Sequence, residues 1–193
     1  MEKHEKKLIE DYVSEKLKDT GWNFVESRDM KRESIKEPLL IENLTEALLR
    51  INKDKGLRER EIKKTIDEIK LLPNDQEGIK KFLNYLKYGI GIKFEKERVV
   101  KIINLFDYEN PDNNEFIFSR QVHFRGNNLI IPDIVLYING IPVLEIECKS
   151  PVDFRTDWYV GYEQIKSYEK VAPEFYKYIQ VFLYQKFYLF YNP

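Results

Sequence analysis

Apolar residues recur at a helical period through the first half of the chain and at a two-residue period through much of the second. Leu8, Ile9, Tyr12, Val13 and Leu17 predict a helix over 5–20, with Gly21 as its stop. A short strand is expected over 22–25, then a charged loop ending in Pro38. Three more helices follow from Leu40, Leu44, Ala47, Leu48 and Ile51 (39–52), from Ile62, Ile66 and Ile69 (58–72), and from Ile79, Phe82, Leu83 and Leu86 (76–87). A strand region with tight turns is expected over 89–100, apolar residues alternate over 100–106, and strands are expected over 116–124, 129–136 and 141–148. A helix over 157–171, stopped near Pro173, precedes strands over 178–184 and 187–191. Helices, then a meander of strands, then helix and strands describe an α/β or α+β domain with a mixed sheet.

Composition narrows the chemistry. The chain has 193 residues, enough for one domain with a helical appendage. Lys+Arg number 32 against 33 Asp+Glu, a net charge of −1. A small standalone DNA-wrapping protein usually carries a large positive excess, so that class is disfavoured, while a local basic patch stays open. The only cysteine is Cys148, which forbids an internal disulfide and a Cys-based zinc site. Two histidines, His4 and His123, make a His-rich metal site or a Ser-His-Asp triad improbable, and neither is assigned a role. No apolar run reaches membrane-spanning length and no secretory signal is visible, so a reducing cytoplasm is the expected compartment. Chemistry must then run on carboxylates and lysines, with or without a hard metal ion.

One segment carries those groups. Asp133 opens one strand of a hairpin, and Glu147 and Lys149 close the other. Glu147 and Lys149 are two residues apart, so on a strand they share a face, with Ile146 and Cys148 on the other. Two carboxylates can hold Mg²⁺ through oxygen, and a lysine can orient a nucleophile or offset developing charge. The alternative, three ordinary surface residues, is weakened by flanking runs that read as central strands, where unpaired charge is costly. Register matters here. A strict two-residue turn at Asn139-Gly140 pairs Ile138 with Ile141, puts Asp133 opposite Ile146 and sends Glu147 to the wrong face. The tripeptide Ile138-Asn139-Gly140 suits a three-residue loop closed by Gly140 in a G1 bulge, so an irregular hairpin is expected. A regular hairpin with no bulge elsewhere would count against the site.

Two further signals are weaker alone. Glu10 lies on the apolar face of the first helix, where it either snorkels at an edge or joins a site. Gln164 and Tyr168 share one face of the helix after the hairpin, as hydrogen-bonding groups or as a polar edge beside a core tyrosine. Lys53, Lys55, Arg58, Arg60, Lys63 and Lys64, with Lys80 and Lys81, could meet phosphate or form a solvated face.

Together these residues resemble the PD-(D/E)xK nuclease superfamily, and more closely the N-terminal nuclease domain of the R subunit of type I restriction enzymes. The likeness runs through Glu10, Leu17 and Gly21-Trp22, through Ala47-Leu48-Leu49-Arg50-Ile51-Asn52, and through Asn110-Pro111, Asn113-Asn114-Glu115-Phe116 and Gln121. It continues in Pro132-Asp133-Ile134-Val135-Leu136, Asn139-Gly140-Ile141-Pro142, Glu147-Cys148-Lys149-Ser150-Pro151, and Gln164 with Tyr168. Short acidic-x-Lys patterns are common, but six motifs in order are specific.

The resemblance implies a restriction-endonuclease-like core, a central mixed sheet flanked by helices. One nuclease domain is expected over 1–193, with core segments of about 5–25 and 89–193 and a helical insertion of about 39–87. The chain reads as a fragment of a longer one. Asp133 and Glu147 are implied as Mg²⁺ ligands, Lys149 as the catalytic lysine, and Gln164 and Tyr168 as supporting residues. Glu10 matches a metal-ligand glutamate of the related archaeal Holliday junction resolvases. Double-stranded DNA is the implied substrate. The implied partners are a downstream motor in the same subunit and the modification and specificity subunits. ATP would serve that motor, and no G-x-x-x-x-G-K-[ST] phosphate loop occurs in these residues. Two departures are mild: Glu145 stands at a usually apolar position, and Cys148 replaces a common Leu. Competing readings are a stand-alone repair or junction nuclease and a non-catalytic DNA- or subunit-docking domain.

Overall fold

A computed structural model describes residues 2–149 and 158–186. Helix α1 (Glu2–Asp19) ends where Gly21 takes a positive φ of 92°, so that the Trp22 amide reaches back to the Leu17 carbonyl at 3.0 Å. This Schellman-type closure satisfies the last carbonyls and turns the chain into strand β1 (Asn23–Phe24). Helices α2 (Ile41–Ile51), α3 (Glu59–Lys70) and α4 (Gln76–Tyr88) follow. The Asp75 carboxylate caps α4 by accepting from the Glu77 and Gly78 amides. Among the described residues, strands β2 (Ile90–Phe94) and β3 (Val99–Ile103) pair only with each other, as an antiparallel ribbon. Their buried residues Ile92, Phe94 and Ile103 join Leu44, Leu48, Ile69 and Phe82 of the helices in one core.

The central sheet is built from β1, β4 (Phe116–Arg120), β7 (Ile134–Ile138), β8 (Ile141–Lys149) and β9 (Val181–Lys186), in that order. Between β4 and β7 a small separate pair forms, β5 (Phe124–Arg125) with β6 (Leu129–Ile130). The inner pairings of the sheet are antiparallel and both outer ones parallel, so the sheet is mixed. One face meets α1 through Ile9, Phe118, Ile134, Leu136, Ile146 and Cys148. Helices α5 (Trp158–Val171) and α6 (Pro173–Tyr176) lie over the other, where Ile165 and Phe175 join Val135 and Tyr137. Covered on both sides, β7 and the start of β8 carry apolar side chains at successive positions.

Three expectations change. The strand expected over 116–124 breaks at Gln121, whose φ is +49°, and the one expected over 129–136 is divided between β6 and β7. The hairpin tip is not a three-residue loop. Ile138 pairs with Ile141 around a two-residue turn in which Asn139 and Gly140 both have positive φ, 53° and 78°, the signature of a type I′ turn. The irregularity lies further along: Leu136 pairs with Leu144 while Tyr137 pairs with Pro142, leaving Val143 as an extra residue in β8. The strand expected over 187–191 lies outside the described residues.

The tip is tightly held. The Asn139 amide oxygen accepts the Glu115 N–H at 2.8 Å, and its amide nitrogen donates to the Leu105 carbonyl and to Asn114, both at 2.9 Å. The Leu40 amide donates to the Gly140 carbonyl at 2.8 Å. A Cβ at Gly140 would collide with the Leu40 carbonyl and stand 2.9 Å from the Leu44 nitrogen, so only glycine fits against α2.

Candidate metal centre

The extra residue at Val143 decides which way the hairpin's last side chains point. Ile134 now pairs with Ile146, which places Asp133, one step before β7, level with Glu147. Both carboxylates are buried, Asp133 at 2% exposure and Glu147 at 0%. Asp133 Oδ2 accepts the backbone N–H of Cys148 at 2.9 Å, which ties it to β8 directly.

Three other elements converge on this end of the sheet. From α1, Glu10 is 6% exposed, and its Oε1 accepts from Gln121 Nε2 at 3.0 Å. The same Gln121 nitrogen donates to Asp133 Oδ1 at 3.1 Å, so one side-chain amide bridges the two carboxylates. The left-handed backbone at Gln121 turns the chain out of β4 just where that bridge is made. Arg120 holds the other Glu10 oxygen at 2.8 Å and Asp11 at 2.5 Å. Burial alone would lower the guanidinium's pKa, but these hydrogen bonds and charges raise it. From α5, Gln164 Nε2 donates to Glu147 Oε2 at 3.0 Å and to the Tyr168 hydroxyl at 3.1 Å. Lys6, also on α1, reaches Asp133 Oδ1 at 2.6 Å. Burial would lower the pKa of its ammonium, yet the bond to Asp133 and the charges of Asp133, Glu147 and Glu10 hold it above the ordinary lysine value.

Glu145, on the other face of β8 from Glu147's neighbours Ile146 and Cys148, is fully buried, and neither of its oxygens makes a well-formed hydrogen bond. Burial pushes its carboxyl up to about 8; Tyr176 opposes that rise, and Glu147 adds to it. Burial likewise pushes the Cys148 thiol and the Tyr176 hydroxyl above their usual ranges.

Of the residues singled out from sequence, Asp133, Glu147, Glu10, Gln164 and Tyr168 therefore meet in one connected cluster. Lys149 is the last residue of β8, its backbone paired with Lys186, and its side chain falls outside the described residues. Lys6, Arg120 and the bridging role of Gln121 were not visible in sequence. The sequence signals for them were faint: Lys6 stands one helical turn before Glu10, and Arg120-Gln121 close an apolar strand. Among the described residues no three His, Cys, Asp or Glu side chains form a ready cation cage, and the side chain that links Glu10 to Asp133 is the Gln121 amide. Asp133 and Glu147, hard oxygen donors on facing strands, fit a Mg²⁺-type ion that keeps several waters. Within the basic patch, Lys64 pairs with Glu95 at 3.1 Å and Lys55 donates to the Ile102 carbonyl, so both are partly spent on the β2–β3 ribbon. An apolar cavity of about 560 Å³ near the hairpin tip, with Trp22, Phe106, Ile138 and Val143 in its wall, lies apart from these charges.

A mixed sheet flanked by helices, with buried carboxylates at one end of its central hairpin, is the architecture of a restriction-endonuclease-like core. Residues 2–192 match the family described as the type I restriction enzyme R protein N terminus, and the chain belongs to that family. Similar proteins include the putative type I restriction enzyme MjaVIIIP endonuclease subunit of Methanocaldococcus jannaschii, 33% identical over 172 residues, 87% of this chain and 16% of that protein. The putative MjaIXP endonuclease subunit of the same organism is 29% identical over 201 residues, 94% of this chain and 19% of its own length. The HindI endonuclease subunit of Haemophilus influenzae is 23% identical over 192 residues, 91% of this chain and 18% of its own. The chain thus spans less than a fifth of the length of these relatives. Among the described residues no helix is long and apolar enough to cross a membrane.

Proposed function

We propose that this chain is the endonuclease domain of a type I restriction R subunit, hydrolysing phosphodiester bonds in double-stranded DNA with Mg²⁺. The observation that carries this reading is that Asp133 and Glu147, both buried, come level at the end of a hairpin whose register Val143 sets. Asp133 and Glu147 would hold the ion, with Glu10 linked to them through Gln121. Bound there, the ion would polarise the scissile phosphate and lower the pKa of an attacking water. Lys149 would orient that water or offset charge developing on the phosphate. Gln164 holds Glu147 in place and is itself held by Tyr168, so the two keep one carboxylate aimed without adding charge.

Membership of the family and the relatives' much greater length support a division of labour. An ATP-driven motor elsewhere in the subunit and the modification and specificity subunits would bring DNA to this domain, in the cytoplasm. The domain would comprise a nuclease core and the α2–α4 insertion. A net charge of −1 suits a nuclease that does not have to capture DNA unaided. The test is a set of single substitutions in the assembled enzyme, Asp133→Ala, Glu147→Ala and Lys149→Ala. Each is expected to abolish DNA cleavage while ATP hydrolysis continues. Cleavage retained by the Asp133→Ala or Glu147→Ala enzyme overturns the reading.

A further inference from the structure

Asp133 is held on three sides, and the three partners differ in kind. Its Oδ2 is fixed by a backbone amide of the sheet. Its Oδ1 is shared between the Gln121 amide and the Lys6 ammonium. Gln121 is anchored again on Glu10 and sits on a constrained backbone. Lys6 alone is a full positive charge on a flexible stem, with a third of its side chain exposed against 3% for Asp133. It stands one turn from Glu10 on the same helix face, so α1 delivers an acid and a base to the same place.

The charges nearby call for a cation there. Glu10 and Asp11 are neutralised largely by Arg120. Two buried carboxylates on facing strands repel each other unless a cation stands close by. A divalent ion bound to Asp133 Oδ1 would repel an ammonium at the same oxygen, and the two cannot share it.

We propose that Lys6 is the built-in counter-ion of the carboxylate site: its ammonium occupies Asp133 Oδ1 in the metal-free protein, and a divalent cation binds by displacing it. The inference rests on the reading of Asp133 as a metal ligand given above. Lys6 thereby balances the carboxylates when no ion is bound and sets a threshold for binding one, acting through Asp133 as a positioning residue.

Calorimetric titration of the 193-residue chain with Mn²⁺ tests this, without DNA or turnover. Lys6→Met is expected to lower the melting temperature of the metal-free protein yet bind Mn²⁺ on the order of tenfold more tightly. Lys6→Gln should behave alike, providing a second neutral variant if the first fails to fold. Lys6→Arg should keep the parent affinity or weaken it. Equal or weaker Mn²⁺ binding by both folded neutral variants overturns the proposal, since a merely structural lysine would not tighten binding when removed. Asp133→Asn separates the two levels of inference. If it abolishes Mn²⁺ binding while the Lys6 variants bind like the parent, the metal site stands and the counter-ion role falls. If it leaves binding untouched, the site reading falls, and the counter-ion with it.

Discussion

The Cys148 backbone amide donates to Asp133 Oδ2 at 2.9 Å, a bond between the strand that ends in Glu147 and Lys149 and the residue just before its partner strand. It locks the acid to the sheet through main chain rather than through a mobile side chain. The carboxylate's remaining oxygen is then left to groups that arrive from elsewhere, Gln121 and Lys6.

Gln121 is expected to matter to activity more than to folding. Its amide spans Glu10 and Asp133 and could not do so as a hydrocarbon. Gln121→Leu should melt within a few degrees of the parent, while DNA cleavage by the assembled enzyme falls roughly 10–100-fold, the usual cost of losing a group that aims a metal ligand. Unchanged cleavage would show that the bridge aims nothing.

Arg120→Ala is expected to reduce stability. Glu10 is nearly buried, and removing its guanidinium leaves an uncompensated charge behind. Because Arg120 and Asp11 are partly exposed, water recovers part of the loss, and about 2 kcal/mol in urea denaturation is the expected cost. Arg120→Lys, which keeps the charge but not the fork, should recover a fraction of it.

Glu145 should make the metal-free protein less stable in mild alkali. Its folded pKa, about 8, lies above its ordinary 4.5, so its contribution is fully present below the unfolded value and is lost as pH rises through about 8. Glu145→Gln removes that titration. Denaturation curves at pH 6 and pH 9 are expected to converge for the variant and to diverge for the parent, with a difference on the order of 2 kcal/mol. A parent whose stability is flat across that interval would contradict this.

At the other end of the hairpin, Gly140→Ala should cost roughly 2–3 kcal/mol in chemical denaturation. The new methyl would meet α2 backbone at a positive φ that alanine resists. Asn139→Ala, which removes side-chain hydrogen bonds with Glu115, Leu105, Asn114 and Arg50, should cost a similar amount. Either loss below about 0.5 kcal/mol would mean the tip is not what fixes the hairpin.

Much of the site was legible because it sits on strong local patterns. Asn139-Gly140 announced the hairpin, the alternation around Ile146 and Cys148 assigned faces, and Glu10 betrayed itself as an acid on an apolar stripe. The helical periods of α2, α3 and α4 were equally plain. The position of the bulge was not, because Val143 has no turn signal and an extra residue in a strand shows only in its pairing. Lys6, Arg120 and Lys177 look like surface cations in sequence. Only tertiary contacts reveal Arg120 reaching 110 residues back to Glu10, or Lys177 donating to the Lys70 and Leu72 carbonyls at the end of α3. The pairing of Glu145 with burial, instead of solvent, depends on α6 covering that face, which no local pattern states.

The bulge at Val143 also makes the site a matter of parity. Between Asp133 and Glu147 the chain must contain a two-residue turn, matched strand residues and one unmatched residue. A change of two residues shared between the strands lengthens or shortens the arm and leaves both carboxylates on the same side. A change of one in either strand turns Glu147 over, with every amino acid still present. Length variation in this hairpin should therefore be tolerated in even steps only, so that an odd insertion would silence the protein while leaving its motifs intact to the eye.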